Sequence, residues 1–124
     1  MKSFQKNQSS RIALFSYPPM ILEALYFRGC PGYASTLAAV RQVLSEEGLA
    51  IEVTPVEVLD EKTARSLSFP GSPTVRVNGQ DLEPPNPFTI YGLSCRIYVE
   101  DGRPQGVPSQ RLIRAAIRHA RVNE

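Results

Sequence analysis

Residues 20–59 carry an apolar run, a helical stripe and a β-rich run in immediate succession, and that order constrains the fold more than any other feature. Met20-Ile-Leu-Glu-Ala-Leu-Tyr-Phe27 is mostly apolar, the pattern of a strand buried on both faces. Tyr33, Leu37, Val40 and Leu44 then fall on one helical face, with Arg41, Gln42, Glu46 and Glu47 as polar surface and Gly48 beyond the end. Leu49–Leu59 returns to a β pattern through Ile51, Val53, Val56 and Val58, interrupted by Pro55. Proline has no N–H to give to a ladder, so this strand belongs at a sheet edge or carries a bulge. Strand, helix and strand within about 40 residues demand a parallel pair joined by a right-handed crossover, with the helix laid on the sheet.

The rest of the chain extends that unit. Asp60 is placed to cap a short helix through Leu67, and Phe69-Pro-Gly-Ser-Pro73 leads into a strand at Thr74–Val77. Asn78-Gly79 is a hairpin signal, with Gln80–Leu82 as the returning arm. After the proline-broken Glu83–Pro87, the stretch Tyr91–Val99 alternates. Tyr91, Leu93, Cys95, Ile97 and Val99 fall on one face and Ser94, Arg96 and Tyr98 on the other, which predicts a strand with Cys95 on its apolar side. Ser109 is placed to cap a last helix that buries Leu112, Ile113, Ala116 and Ile117. Residues 1–19 read as an N-terminal extension with a short strand at Ile12–Tyr17, and 20–124 as one α/β domain.

Composition removes several classes of function. Two cysteines cannot complete a four-thiolate metal site, and the lone histidine, His119, reads as surface, so no resident metal is expected. The formal charge of +2 is a weak field for nucleic acid. Arg111, Arg114, Arg118 and Arg121 read as a solvated helix face, and Glu46-Glu47 as solvent surface. The only apolar run near the start, Ile12–Phe15, is too short for a secretory leader, and no run reaches a membrane span. The expectation is a cytoplasmic protein with reduced thiols and neither membrane nor nucleic-acid partners; oligomeric state is left open.

The residue with chemistry to offer is Cys30. It stands where the first strand hands over to the helix, and Pro31 suits the first helical position, which would make Cys30 the cap. There its sulfur would meet unpaired N–H groups and the positive end of the helix dipole, both of which favour the thiolate. Arg28 could add positive potential, and Gly29 and Gly32 keep the approach open. Cys95 has two readings: a resolving thiol for Cys30, or a small buried hydrophobe. Asp81 and Glu83 could border the site, with no nucleophile to pair them.

Pro73 follows Cys30 by 43 residues, in Gly71-Ser72-Pro73-Thr74. With Cys30-Pro31-Gly32-Tyr33 upstream, this loop makes the chain resemble the thioredoxin-like superfamily, glutaredoxins included, over Ile21 to Leu82 and again from Ser109. The resemblance implies a thioredoxin-like α/β fold: a central mixed sheet flanked by helices, a cis peptide before Pro73 beside Cys30, and an inserted loop and strand before the last helix. It implies monothiol thiol–disulfide exchange with Cys30 as the catalytic nucleophile. Pro31, Tyr33, Ser72, Pro73 and Thr74 would line the substrate cradle. There the Ser72 backbone would hydrogen-bond an extended peptide or glutathione. No bound cofactor is implied, glutathione being a co-substrate; the partners would be protein or low-molecular-weight thiols and disulfides. Dithiol members carry a second cysteine where Tyr33 stands here, so a disulfide within that motif is excluded.

The stretch Ser94-Cys95-Arg96-Ile97-Tyr98, with GSPT upstream, also resembles a group of small bacterial thioredoxin-like proteins, some associated by name with organomercurial or metal handling. Two alternatives therefore stand beside thiol exchange: a non-enzymatic binding module on the same fold, and soft-metal or organomercurial binding by Cys30 and Cys95.

Overall fold

The computed structural model describes residues 19–122; the expected strand Ile12–Tyr17 and nearly all of the 1–19 extension lie outside the described residues. In chain order the elements are β1 (Leu22–Tyr26), α1 (Tyr33–Glu46), β2 (Val53–Glu57), α2 (Glu61–Ser66), β3 (Thr74–Val77), β4 (Gln80–Asp81), β5 (Tyr98–Glu100), β6 (Arg103–Gln105) and α3 (Gln110–Val122). Four strands form a mixed sheet in the order β2-β1-β3-β4. β1 runs parallel to β2 and antiparallel to β3. Pro55 stands opposite Ala24 on the edge strand, where its missing N–H leaves no central ladder bond unmade. Asn78 and Gly79 both have positive φ, +53° and +81°, the turn that a two-residue hairpin requires.

Burial on both sides of β1 explains its apolar run. On one face Leu22, Ala24, Val53, Val75 and Val77 pack against Val40, Val43 and Leu44 of α1 and Ile113 and Ile117 of α3. On the other face Leu25, Val58, Ala64 and Phe69 form a smaller core, with Phe27, Val56, Leu67 and Leu93 against it. Each fully buried Val, Leu, Ile or Phe among them contributes about 1.5–3 kcal/mol of burial. The result is an α/β domain with a mixed sheet flanked by helices, compatible with the thioredoxin-like expectation. No described helix is long and apolar enough to cross a membrane.

Both predicted caps form. Asp60 accepts from the Thr63 amide at 2.7 Å, and its hydrogen bonds to Thr63 hold its carboxyl below the usual carboxylate range. Ser109 Oγ accepts from the Leu112 amide at 3.0 Å and donates to Glu100 Oε2 at 2.6 Å.

The face of α3 read as solvated is largely exposed, and three of its four arginines also form an ion-pair seam with the end of α1, while Arg111 turns to Glu100 and Asp101. Arg114 pairs with Glu46, Arg118 donates to both oxygens of Glu47 at 3.0 and 2.9 Å, and Arg121 lies 3.5 Å from Glu47. The two helices share one face of the sheet, so residues far apart in sequence meet there.

The insert differs most from expectation. The predicted strand Tyr91–Val99 shrinks to Tyr98–Glu100, which pairs with Arg103–Gln105 in a separate two-stranded sheet. Before it, residues 91–97 pack on the sheet through Leu93 and Arg96, and pair with the loop before β3 through an isolated parallel bridge between Ser72 and Cys95.

Candidate thiol site

Cys30 lies four residues past the end of β1, half-buried in the turn that enters α1. Its amide donates to Phe27 O at 3.2 Å, and its carbonyl accepts from the Tyr33 amide at 3.4 Å. The helical ladder begins only with Thr36 N–H to Gly32 O, so Gly32 is the cap and Cys30 is not. The physical reason is local: Pro31-Gly32 closes a turn of its own before the α-helical bonding starts. Arg28 is turned to Glu57, at 3.4 Å, rather than held for the thiol.

Tyr33, at the position of a dithiol's second cysteine, is a packing residue. Its ring stacks on Tyr26 with centroids 3.9 Å apart and planes 18° apart, and it packs against the larger core. Burial pushes its hydroxyl pKa up, and the neighbouring Tyr26 adds to the push.

Pro73 lies beside the cysteine turn. The Ser72–Pro73 peptide is cis. A Cβ on Gly32 would sit 3.5 Å from Pro73 Cδ, 3.3 Å from Gly106 O and only 2.8 Å from Val107 Cγ1. Glycine is therefore needed at position 32 for the two loops to approach. Tyr98, fully buried, donates its hydroxyl to Pro73 O at 2.6 Å. Burial pushes the Tyr98 pKa well up; Arg96 pulls against this, and the carboxylates of Asp81 and Glu83 add to it.

Two members of the expected cradle are already occupied. The Ser72 amide donates to Ser94 O at 2.8 Å, and the Arg96 amide donates to Ser72 O at 3.0 Å. Ser72 Oγ accepts from the Phe27 amide at 3.3 Å. Thr74 is wholly buried: its hydroxyl donates to Gly71 O at 2.6 Å and accepts from Arg96 Nη1 at 3.0 Å. Ser72 and Thr74 thus hold the insert in place instead of facing solvent. Of the five proposed lining residues, Pro31 is exposed, Tyr33 half-buried and Pro73 buried against the cysteine turn.

Cys95 is exposed, not in the core. The expected alternation holds only over residues 95–99, and there the inward face is not the apolar one; earlier in the stretch Leu93 packs on the smaller core and Ser94 is exposed. Arg96 and Tyr98 point in, while Ile97 and Val99 are left outside. Arg96 pairs with Asp81 at 2.7 Å, donates to Glu83 O at 2.6 Å, and lies 4.5 Å from the Tyr98 ring centroid. A buried arginine with a carboxylate, two oxygen acceptors and an aromatic face is fully compensated, and Tyr98 supplies large apolar volume on the same side. Arg96, Tyr98 and Gly71 are the supporting residues that sequence reasoning missed, and Asp81, expected only to border the site, is the partner of Arg96. The signal available for them was the aromatic at Tyr98 two residues from a charge, with Asp81 already noted nearby.

Among the described residues, no group of three or more His, Cys, Asp or Glu side chains converges on a metal-sized site. No protein-family model, no curated protein and no solved structure matches this chain.

Proposed function

We propose that this protein is a thioredoxin-like thiol–disulfide exchange protein working through the single thiol of Cys30. The observation that carries the reading is the packing of Pro73 on the Cys30-Pro31-Gly32 turn, with the Tyr98 hydroxyl bonded to Pro73 O at 2.6 Å. A half-buried thiol at the carboxyl end of a parallel strand, walled by a proline loop, suits attack on a sulfur presented from solvent. The Cys30 thiolate attacks one sulfur of a disulfide, the S–S bond breaks, and the departing thiolate takes the electron pair and a proton from solvent. A low-molecular-weight thiol such as glutathione returns Cys30 to the free thiol by the reverse exchange. Pro31 and Tyr33 flank the thiol on the helix side.

The test is exchange with hydroxyethyl disulfide at neutral pH. Cys30→Ser lowers the rate by at least about tenfold, while Cys95→Ser leaves the first exchange step at the wild-type rate. Unchanged exchange in Cys30→Ser would hand the site to the non-enzymatic binding reading.

A further inference from the structure

We propose that Cys95 is the resolving thiol for Cys30, and that the segment around it confines the site to small disulfides; this rests on Cys30 being the nucleophile. The oxidised protein then holds an intramolecular Cys30–Cys95 disulfide.

The argument starts from Ser72. Its amide and carbonyl are the groups that an added peptide strand would use, and both are bonded to residues 94 and 96 of the same chain. The protein therefore supplies its own strand at that edge, and the residue directly opposite Ser72 is Cys95.

Bridged strands lie about 4.8 Å apart, and side chains paired across a bridge leave it on the same side. The Ser72 hydroxyl points to the Phe27 amide, and Phe27 O in turn holds the Cys30 amide. Cys95 accordingly leaves the bridge on the side of the Cys30 turn.

Its placement is also fixed. Gly71 has no Cβ, and one there would lie 3.0 Å from both Arg96 Cα and Ser94 O, so the insert is seated tightly on this loop. The buried Arg96 anchors the next residue. The thiol itself stays exposed, and Cys30 is half-buried, so both are reachable by a small reagent. With Tyr33 stacked on Tyr26, no second thiol can come from α1; Cys95 is the one other cysteine in the sequence.

The reaction balances without further oxidant. Cys30 attacks R–S–S–R′, R′–S⁻ leaves and is protonated, and Cys30–S–S–R remains. Cys95 gives its proton to solvent and attacks Cys30 Sγ, expelling R–S⁻ and closing the protein disulfide. Two protein thiols are oxidised and one small disulfide is reduced to two thiols.

Reduced full-length protein, Cys95→Ser and Cys30→Ser are each treated with one equivalent of hydroxyethyl disulfide, then analysed by intact mass and non-reducing tryptic mapping. Wild type loses two hydrogens and yields Gly29–Arg41 linked to Val77–Arg96, with no lasting adduct. Cys95→Ser accumulates a stable adduct on Cys30. Wild type carrying the Cys30 adduct as long as Cys95→Ser does, or forming dimers through Cys95, overturns the resolving role and leaves the Cys30 reading intact. An adduct confined to Cys95 and unaffected by Cys30→Ser overturns both. For the substrate class, a disulfide-bonded extended peptide reacts with Cys30 roughly tenfold or more slowly than hydroxyethyl disulfide does; equal rates overturn that part.

Discussion

Arg96 and Asp81 form an ion pair with 2.7 Å between Nη1 and Oδ2, their side chains only 6% and 7% exposed. The pair joins the insert to the last strand of the sheet. Arg96 reaches it from the stretch that crosses the proline loop, and Asp81 from β4, the arm returning from the Asn78-Gly79 turn. Its further bonds to Thr74 Oγ1 and Glu83 O leave little of the guanidinium unsatisfied. The insert is therefore a built part of the fold and fixes where Cys95 stands.

Removing one partner strands the other. Asp81→Ala leaves a buried guanidinium without its counter-charge and destabilises the protein by about 3–5 kcal/mol. Replacing both, with Arg96→Met and Asp81→Leu, destabilises it less, because apolar groups of similar volume have no charge to desolvate. Urea unfolding of the three variants decides. A loss below about 1 kcal/mol for Asp81→Ala would place the pair with exposed surface bridges.

Tyr98→Phe removes the donor to Pro73 O and leaves a buried carbonyl unpaired, a loss of about 1–3 kcal/mol. The same hydroxyl gives the fold an alkaline limit. Its pKa is raised in the folded state, so folded and unfolded chains bind the proton equally below the ordinary tyrosine value. Above about pH 10 the unfolded chain releases that proton first, and stability falls as pH rises. Tyr98→Phe should therefore flatten the decline seen in denaturation midpoints as pH rises above about 10. An equal slope in both proteins would mean that other groups control it.

The central sheet was legible because its signals are local. An apolar run, a 3.6-residue stripe, a proline on an edge and an Asn-Gly turn each report on their own few residues. The insert was not, because its inward face is decided by a partner 15 residues away in sequence. Hydrophobicity alone assigns Cys95, Ile97 and Val99 to the core. Arg96 displaces them only because Asp81, Thr74 and Glu83 O converge on it, and no window around Arg96 contains all three. The seam between α1 and α3 was hidden for the same reason: Glu47 and Arg118 lie 71 residues apart. At the candidate site, Cys30 and Pro73 were found from motif and spacing. The occupation of Ser72 by residues 94 and 96 depends on where the insert lies, and no motif encodes that.

Glu47 sets the acid limit of the helix seam. Its bond from Arg118 lowers its pKa, with burial opposing and the charges of Arg118, Arg114 and Arg121 assisting. A depressed carboxyl contributes stability above the unfolded-state value of about 4.3 and loses it as pH falls through the lower folded value. Glu47→Gln should melt lower than wild type at neutral pH, with the difference shrinking as pH falls below the usual carboxylate range. A melting-temperature difference independent of pH would assign the effect to packing.

Gly71 is where backbone conformation and the insert meet. Its φ of +137° is one that side-chain-bearing residues rarely adopt, and a Cβ there would press on Arg96 Cα and Ser94 O, both at 3.0 Å. These are backbone neighbours or atoms fixed to backbone, so the clash cannot be relieved by a rotamer change. Gly71→Ala therefore carries a conformational loss of about 1–3 kcal/mol and also pushes residues 94–96 off the Ser72 edge. Gly79→Ala is the comparison: its φ of +81° is also positive, but nothing lies within 4 Å of the added carbon. Both substitutions should lower the unfolding midpoint. Only Gly71→Ala should also speed amide hydrogen exchange at Ser72 and Arg96, whose N–H groups make the two bonds of the bridge. Equal exchange in the two variants would mean that the insert is held by Arg96 and Asp81 alone, with the Ser72 edge following passively.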